Sequence, residues 1–202
     1  MSLELWRRRV RKAPPTRVAR QVVHQAAEID VTGPPVLCVT GDRLGAAAFA
    51  ENWLPHIAGR GRDAYAVSVR GQGDTPKGDG GLAGRVHDLV QTAAALPTRP
   101  VVVGHGQGAL WVAHAMTRYP VVAAVLLAPR GLKRAPAPPT GAPRVLVAGS
   151  PTDRRSPAKR LDAVAALYGG APLLFSGIGH DFMTDAGWQP PLDALLAWFD
   201  EG

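Results

Sequence analysis

The sequence predicts an α/β domain with a doubly wound, mostly parallel sheet and helices on both faces. Three observations carry that prediction. Short continuous apolar runs, the mark of strands buried on both sides, recur along the chain. Stretches with helical spacing separate them, so strand and helix alternate as parallel crossovers require. The length of 202 residues, with 46% apolar and 19% charged residues, suits one ordinary domain with a sizeable core. We read residues 1–20 as a basic N-terminal segment and 21–202 as a single domain.

Residues 1–20 hold Arg7, Arg8, Arg9, Arg11, Lys12, Arg17 and Arg20 against Glu4, so this segment carries +6 of the chain's formal +7. It reads either as an arm for an acidic partner or as an arginine-rich leader whose Leu3, Leu5 and Trp6 pack on the domain. No aromatic-interleaved basic face continues into the domain, so a nucleic-acid partner is not expected. Residues 35–40 form the first apolar run, ended by Gly41. Residues 45–58 have helical spacing, with Pro55 expected to kink or divide the helix. Residues 64–69 are a second strand, followed by a glycine-rich loop.

Residues 82–96 place Leu82, Val86, Leu89 and Val90 on one helical face. The run Pro100-Val101-Val102-Val103 is the most strongly β-type and predicts a central strand. Residues 107–118 read as helix, 121–127 and 144–148 as strands, and 157–168 as a helix opened by Pro157. A last strand over 173–175 and a last helix over 190–200 complete the pattern. The proline-rich stretch 131–143 reads as an extended surface connection.

Several function classes are set aside by the same reading. A single cysteine, Cys38, allows neither an internal disulfide nor a multi-cysteine metal site. No apolar run reaches membrane-span length, and no apolar stretch follows the basic residues as in a secretory signal, so a cytoplasmic protein is expected. The histidines show no metal-ligand spacing, and no Gly-Lys-Ser/Thr follows the glycines at 71–81, so neither a metal nor a phosphate loop is expected. No cofactor is expected, and the oligomeric state is left open.

In open parallel sheets the ligand binds at the carboxyl ends of the strands. After the central strand comes Gly104-His105-Gly106-Gln107-Gly108, then a helix. This is the strand–turn–helix setting of a nucleophile elbow, G-x-S-x-G, with Gly106 at the apex where a serine normally stands. Asp153 follows the strand at 144–148, and His180 follows the last strand in Gly177-Ile178-Gly179-His180. The chain order apex, acid, histidine is that of a hydrolase triad, in which the acid orients the imidazole and the imidazole moves the proton.

These motifs resemble the α/β-hydrolase superfamily over roughly residues 25–200. Val39-Thr40-Gly41 resembles the family's His-Gly after the first central strand, and Arg70-Gly71-Gln72-Gly73-Asp74-Thr75 resembles its Arg-Gly-His-Gly-x-Ser loop. The resemblance implies an oxyanion hole made by the backbone N–H groups of Gln107 and Asp42. The segment 129–143 is too short to fold as a separate cap, so the fold is expected without a lid domain and with an open pocket. Gly41, Trp111, Phe182 and Met183 are the expected substrate-binding residues, with Trp188 nearby, although each aromatic suits a core position equally well.

Glycine at 106 has no side chain to acylate. The replacement hydroxyls and thiol are poorly placed: Cys38 and Ser68 lie mid-strand, and Ser150 and Ser176 suit turn hydroxyls. The expected activity is therefore hydrolysis or acyl transfer on an ester, thioester or other acyl substrate, small or carrier-tethered. His180 and Asp153 would act as a general-base dyad. Two alternatives stand beside it: a non-catalytic relative that binds a small molecule or protein, and a serine hydrolase whose nucleophile has been replaced by glycine.

Overall fold

A computed structural model describes residues 15–30, 33–41, 43, 45–131, 135–141 and 143–201. Its strands are β1 (Gln21–Gln25), β2 (Val36–Thr40), β3 (Ala64–Ser68), β4 (Val101–His105), β5 (Ala123–Leu127), β6 (Arg144–Gly149) and β7 (Leu173–Leu174). Its helices are α1 (Ala47–Ala50), α2 (Trp53–Gly59), α3 (Gly81–Ala94), α4 (Gly108–Ala115), α5 (Ala158–Leu167) and α6 (Gln189–Asp200). The strands form one sheet in the order β1-β3-β2-β4-β5-β6-β7. Only the β1–β3 pair is antiparallel.

The period of two along a strand sends neighbouring side chains to opposite faces. Leu37 and Val39 of β2 join Val102 of β4 and Leu126 of β5 in a core covered by α3, α4 and α5. Val36 and Cys38 of the same strand join Val103 and Leu127 in a second core with α1, α2 and α6. Both faces of the sheet are thus roofed by helices, which is why β2, β4 and β5 are buried at every position. Alternate residues of one apolar run stabilise two cores at once.

Two local features differ from the sequence expectations, and a third agrees with them. β1 was not anticipated: its Gln-Val-Val-His-Gln run is short and half polar, and Val22 remains 42% exposed at the sheet edge. The helical stretch 45–58 is divided, but at 51–52 and not at Pro55. Pro55 sits in the first turn of α2, where its missing N–H leaves no intrahelical bond unmade. The described part of the connection from β5 to β6 contains no helix or strand, in keeping with a fold that lacks a lid.

The loop after β3 is fastened by one buried charge pair. Arg70 gives Asp88 of α3 two side-chain hydrogen bonds, Nε to Oδ2 at 2.8 Å and NH2 to Oδ1 at 2.7 Å. Asp88 also accepts the Arg70 backbone N–H at 2.9 Å. The arginine of the resembled Arg-Gly-x-Gly motif therefore anchors the loop. At the end of the basic segment, Arg20 donates to Thr92 at 3.0 Å and Thr16 to Asp79 at 3.0 Å. Its first fourteen residues lie outside the described residues.

Candidate active site

β4 ends at His105 and α4 begins at Gly108, so the chain reverses through Gly106 and Gln107. Gly106 takes φ +59°, the left-handed region that L side chains adopt only under strain. Its N–H donates to Leu127 O at 2.9 Å, and its carbonyl accepts from Arg130 N at 2.9 Å. The turn is thereby pinned to the end of β5. A Cβ added at Gly41 would stand 2.6 Å from Gln107 N, so glycine there lets the 41 loop approach the turn. Gly106 is different: among the described residues a Cβ would meet within 4 Å only His180 Nε2, at 3.5 Å.

His180 Nδ1 lies 2.6 Å from Asp153 Oδ2, and both side chains are buried. An ionised carboxylate only accepts, so Nδ1 carries the proton of that bond and a neutral ring has its lone pair on Nε2. Nε2 is buried and has no hydrogen-bond partner among the described residues. Burial alone raises the Asp153 pKa. The hydrogen bond from His180, the N–H groups of Arg155 and Ser156, and the nearby imidazole charge outweigh it, leaving the carboxyl below its ordinary value. Asp153 Oδ1 accepts the Arg155 N–H at 2.7 Å, which fixes the carboxylate plane.

His105, one residue before the apex, holds the histidine loop from behind. Its Nε2 lies 2.9 Å from the His180 carbonyl oxygen and its Nδ1 2.9 Å from Thr40 Oγ1. Nε2 must donate to that carbonyl, so Nδ1 accepts from the threonine hydroxyl. Further along the loop, Asp185 accepts the N–H groups of Gly179 at 3.0 Å and Gly187 at 2.9 Å. The sequence reading missed both roles. Asp185 stands five residues after His180 with nothing local to distinguish it, and the contact of His105 spans 75 positions. The donor atoms of His105, His180 and Asp181 lie within 4.8 Å of one another, but both His105 ring nitrogens and His180 Nδ1 already have protein partners.

The other expected site residues separate. Gln107 stands at the start of α4, where its N–H has no acceptor inside the helix. Asp42, the second expected oxyanion donor, lies outside the described residues. Trp111, Phe182 and Met183 are core residues and not pocket lining: they are 3%, 0% and 1% exposed. Trp111 packs beneath α3 with Arg85 over its ring, while Phe182 and Met183 pack on the opposite face of the sheet. Their size and apolarity made core and pocket indistinguishable in the sequence. Cys38 is fully buried, and burial pushes its thiol pKa far up, so it remains protonated and inert.

A cavity of about 840 Å³ opens beside Gln107 instead, between the start of α4, the Arg130-Gly131 turn and the outer side of α5. Leu110, Val164 and Leu167 supply its apolar wall, and Arg130, Lys159 and Arg160 its polar one. The sequence carried one unread signal for it. Arg130 lies three residues past the end of β5, in the strand-end region where ligand contacts are expected.

No curated protein matches the chain at the sequence level. Solved structures do match in shape. A thermophilic esterase from Thermogutta terrifontis superposes with a TM-score of 0.74 at 15% identity, covering 94% of this chain and 96% of that one. Est1E from Butyrivibrio proteoclasticus gives 0.71 at 16% identity, covering 91% and 95%. A monoacylglycerol lipase from Paleococcus ferrophilus gives 0.66 at 16% identity, covering 91% and 99%. The sequence model of the alpha/beta hydrolase family matches residues 36–201, nearly the whole of the described sheet and its helices, and on that match the chain belongs to the α/β-hydrolase family.

Proposed function

We propose that the protein hydrolyses an ester, thioester or other activated acyl substrate, or transfers its acyl group, with His180 as general base and no serine nucleophile. What carries this reading is the pairing of His180 Nδ1 with Asp153 at 2.6 Å while Nε2, buried and without a partner among the described residues, faces Gly106, where no Cβ intervenes. Water or an acceptor hydroxyl beside Gly106 would give its proton to Nε2 as its oxygen bonds the acyl carbon. The carbonyl electrons move onto the oxyanion, which the Gln107 N–H would stabilise. Collapse of the tetrahedral intermediate expels the leaving group, and the imidazolium returns the proton to it. Asp153 stays ionised and steadies the imidazolium between the two transfers.

The test is turnover of a panel of activated esters and thioesters by the wild type and His180→Ala, with intact-protein mass spectrometry during turnover. General-base catalysis by histidine is typically worth about 100- to 10,000-fold, so His180→Ala should lose activity on that scale. No acylated protein mass should accumulate. Activity that survives His180→Ala, or an acyl adduct on the chain, contradicts the proposal. Complete inactivity of the wild type on the panel would favour the non-catalytic alternative.

A further inference from the structure

We infer that the cavity beside Gln107 selects acyl groups that carry a negative charge on an apolar chain. This inference deepens the proposed function and rests on it for the word acyl. Among the described residues lining the cavity none is acidic, whereas three are cationic: Arg130, Lys159 and Arg160. Among the described residues none of the three forms an ion pair, and Asp181 pairs with Arg155 at 3.7 Å. Like charges gathered without a counter-ion raise a positive potential, and a concave wall focuses it. Lys159 and Arg160 stand in the first turn of α5, whose dipole adds the same sign.

The charge sits beside apolar surface. Leu110 is buried, and Leu167 is 55% exposed. A purely ionic ligand would leave this surface wet, and a neutral chain would leave three cations uncompensated. An oxyanion joined to a short apolar stem satisfies both. Arg130 links the cavity to the chemistry, because its backbone N–H is bonded to the Gly106 carbonyl at 2.9 Å. A guanidinium there suits bidentate binding of a carboxylate or a phosphate.

Titration calorimetry on the full chain with octanoate, octyl phosphate and octanol tests this without any need for turnover. Both anions should bind, and octanol at least about tenfold more weakly. The exposed triple substitution Arg130→Gln, Lys159→Gln, Arg160→Gln should weaken anion binding about tenfold or more and leave octanol unchanged. Lys159→Glu alone should act in the same direction. Tighter binding of octanoate supports a carboxylate-bearing acyl group, and tighter binding of the phosphate ester supports a phosphorylated one. Equal binding of octanol, no binding of either anion, or undiminished anion binding by the triple variant overturns the inference. His180→Ala should bind octanoate as the wild type does, so failure of the general-base reading and failure of this one give different results.

Discussion

Among the residues of the site, Asp153 is a buried one whose ionisation is tied to folding. Its carboxyl lies below the ordinary aspartate value of 3.8 because His180 and the Arg155 N–H hold the charged form. A group with a lowered folded pKa contributes stability that is complete above its unfolded pKa and is lost as pH falls through the folded one. Wild type and Asp153→Asn should therefore differ most in urea midpoint above the ordinary aspartate value of 3.8, and the gap should close as pH falls below it. A gap that widens on acidification would show that the carboxylate is not held in its charged form. The dyad was legible in the sequence because both residues follow strands in hydrolase order. The supporting contacts of His105 and Asp185 were not, because they join loops far apart in the chain or lie in a loop with no distinguishing pattern.

At the level of elements, periodicity revealed the strands that are buried on both faces and missed the one that is not. β2, β4 and β5 are unbroken apolar runs, whereas β1 is an edge strand with polar residues at both ends. The split between α1 and α2 was foreseen for the wrong residue: proline is harmless in a first turn, so Pro55 does not make the break. The loop after β3 depends on α3 through a pair with Arg70 2% and Asp88 0% exposed. Removing one partner of a buried pair typically costs about 3–5 kcal/mol. Asp88→Ala should lower unfolding free energy by that amount in urea denaturation, and a loss of only a few tenths would mean that the guanidinium finds water instead.

On the scale of the whole molecule, a sheet roofed on both faces leaves only its strand ends for chemistry. The turn at Gly106, the histidine loop and the acid after β6 converge there because β4, β6 and β7 run parallel in one sheet. Fold class was readable because strand–helix alternation is written along most of the chain. The pocket was not, since it is assembled from the β5 exit and the flank of α5, which no local pattern joins. The described part of the β5–β6 connection carries no helix to cover the site. An acyl group on N-acetylcysteamine and the same group on a full pantetheine arm should thus be turned over with similar kcat/KM. A collapse of kcat/KM with the longer arm would indicate an enclosed site.

The account as a whole depends on His180 facing an apex that lacks only its attacking oxygen. Gly106→Ser supplies that oxygen at a position where, among the described residues, a Cβ meets nothing nearer than His180 Nε2 at 3.5 Å. The left-handed φ should cost about 1–2 kcal/mol, which a folded domain tolerates. The decisive measurement is labelling of Gly106→Ser by a fluorophosphonate probe, with and without His180→Ala. Labelling at Ser of the single variant that disappears in the double variant is the expected result. Equal labelling of both, or none of either while the single variant remains folded, would contradict it.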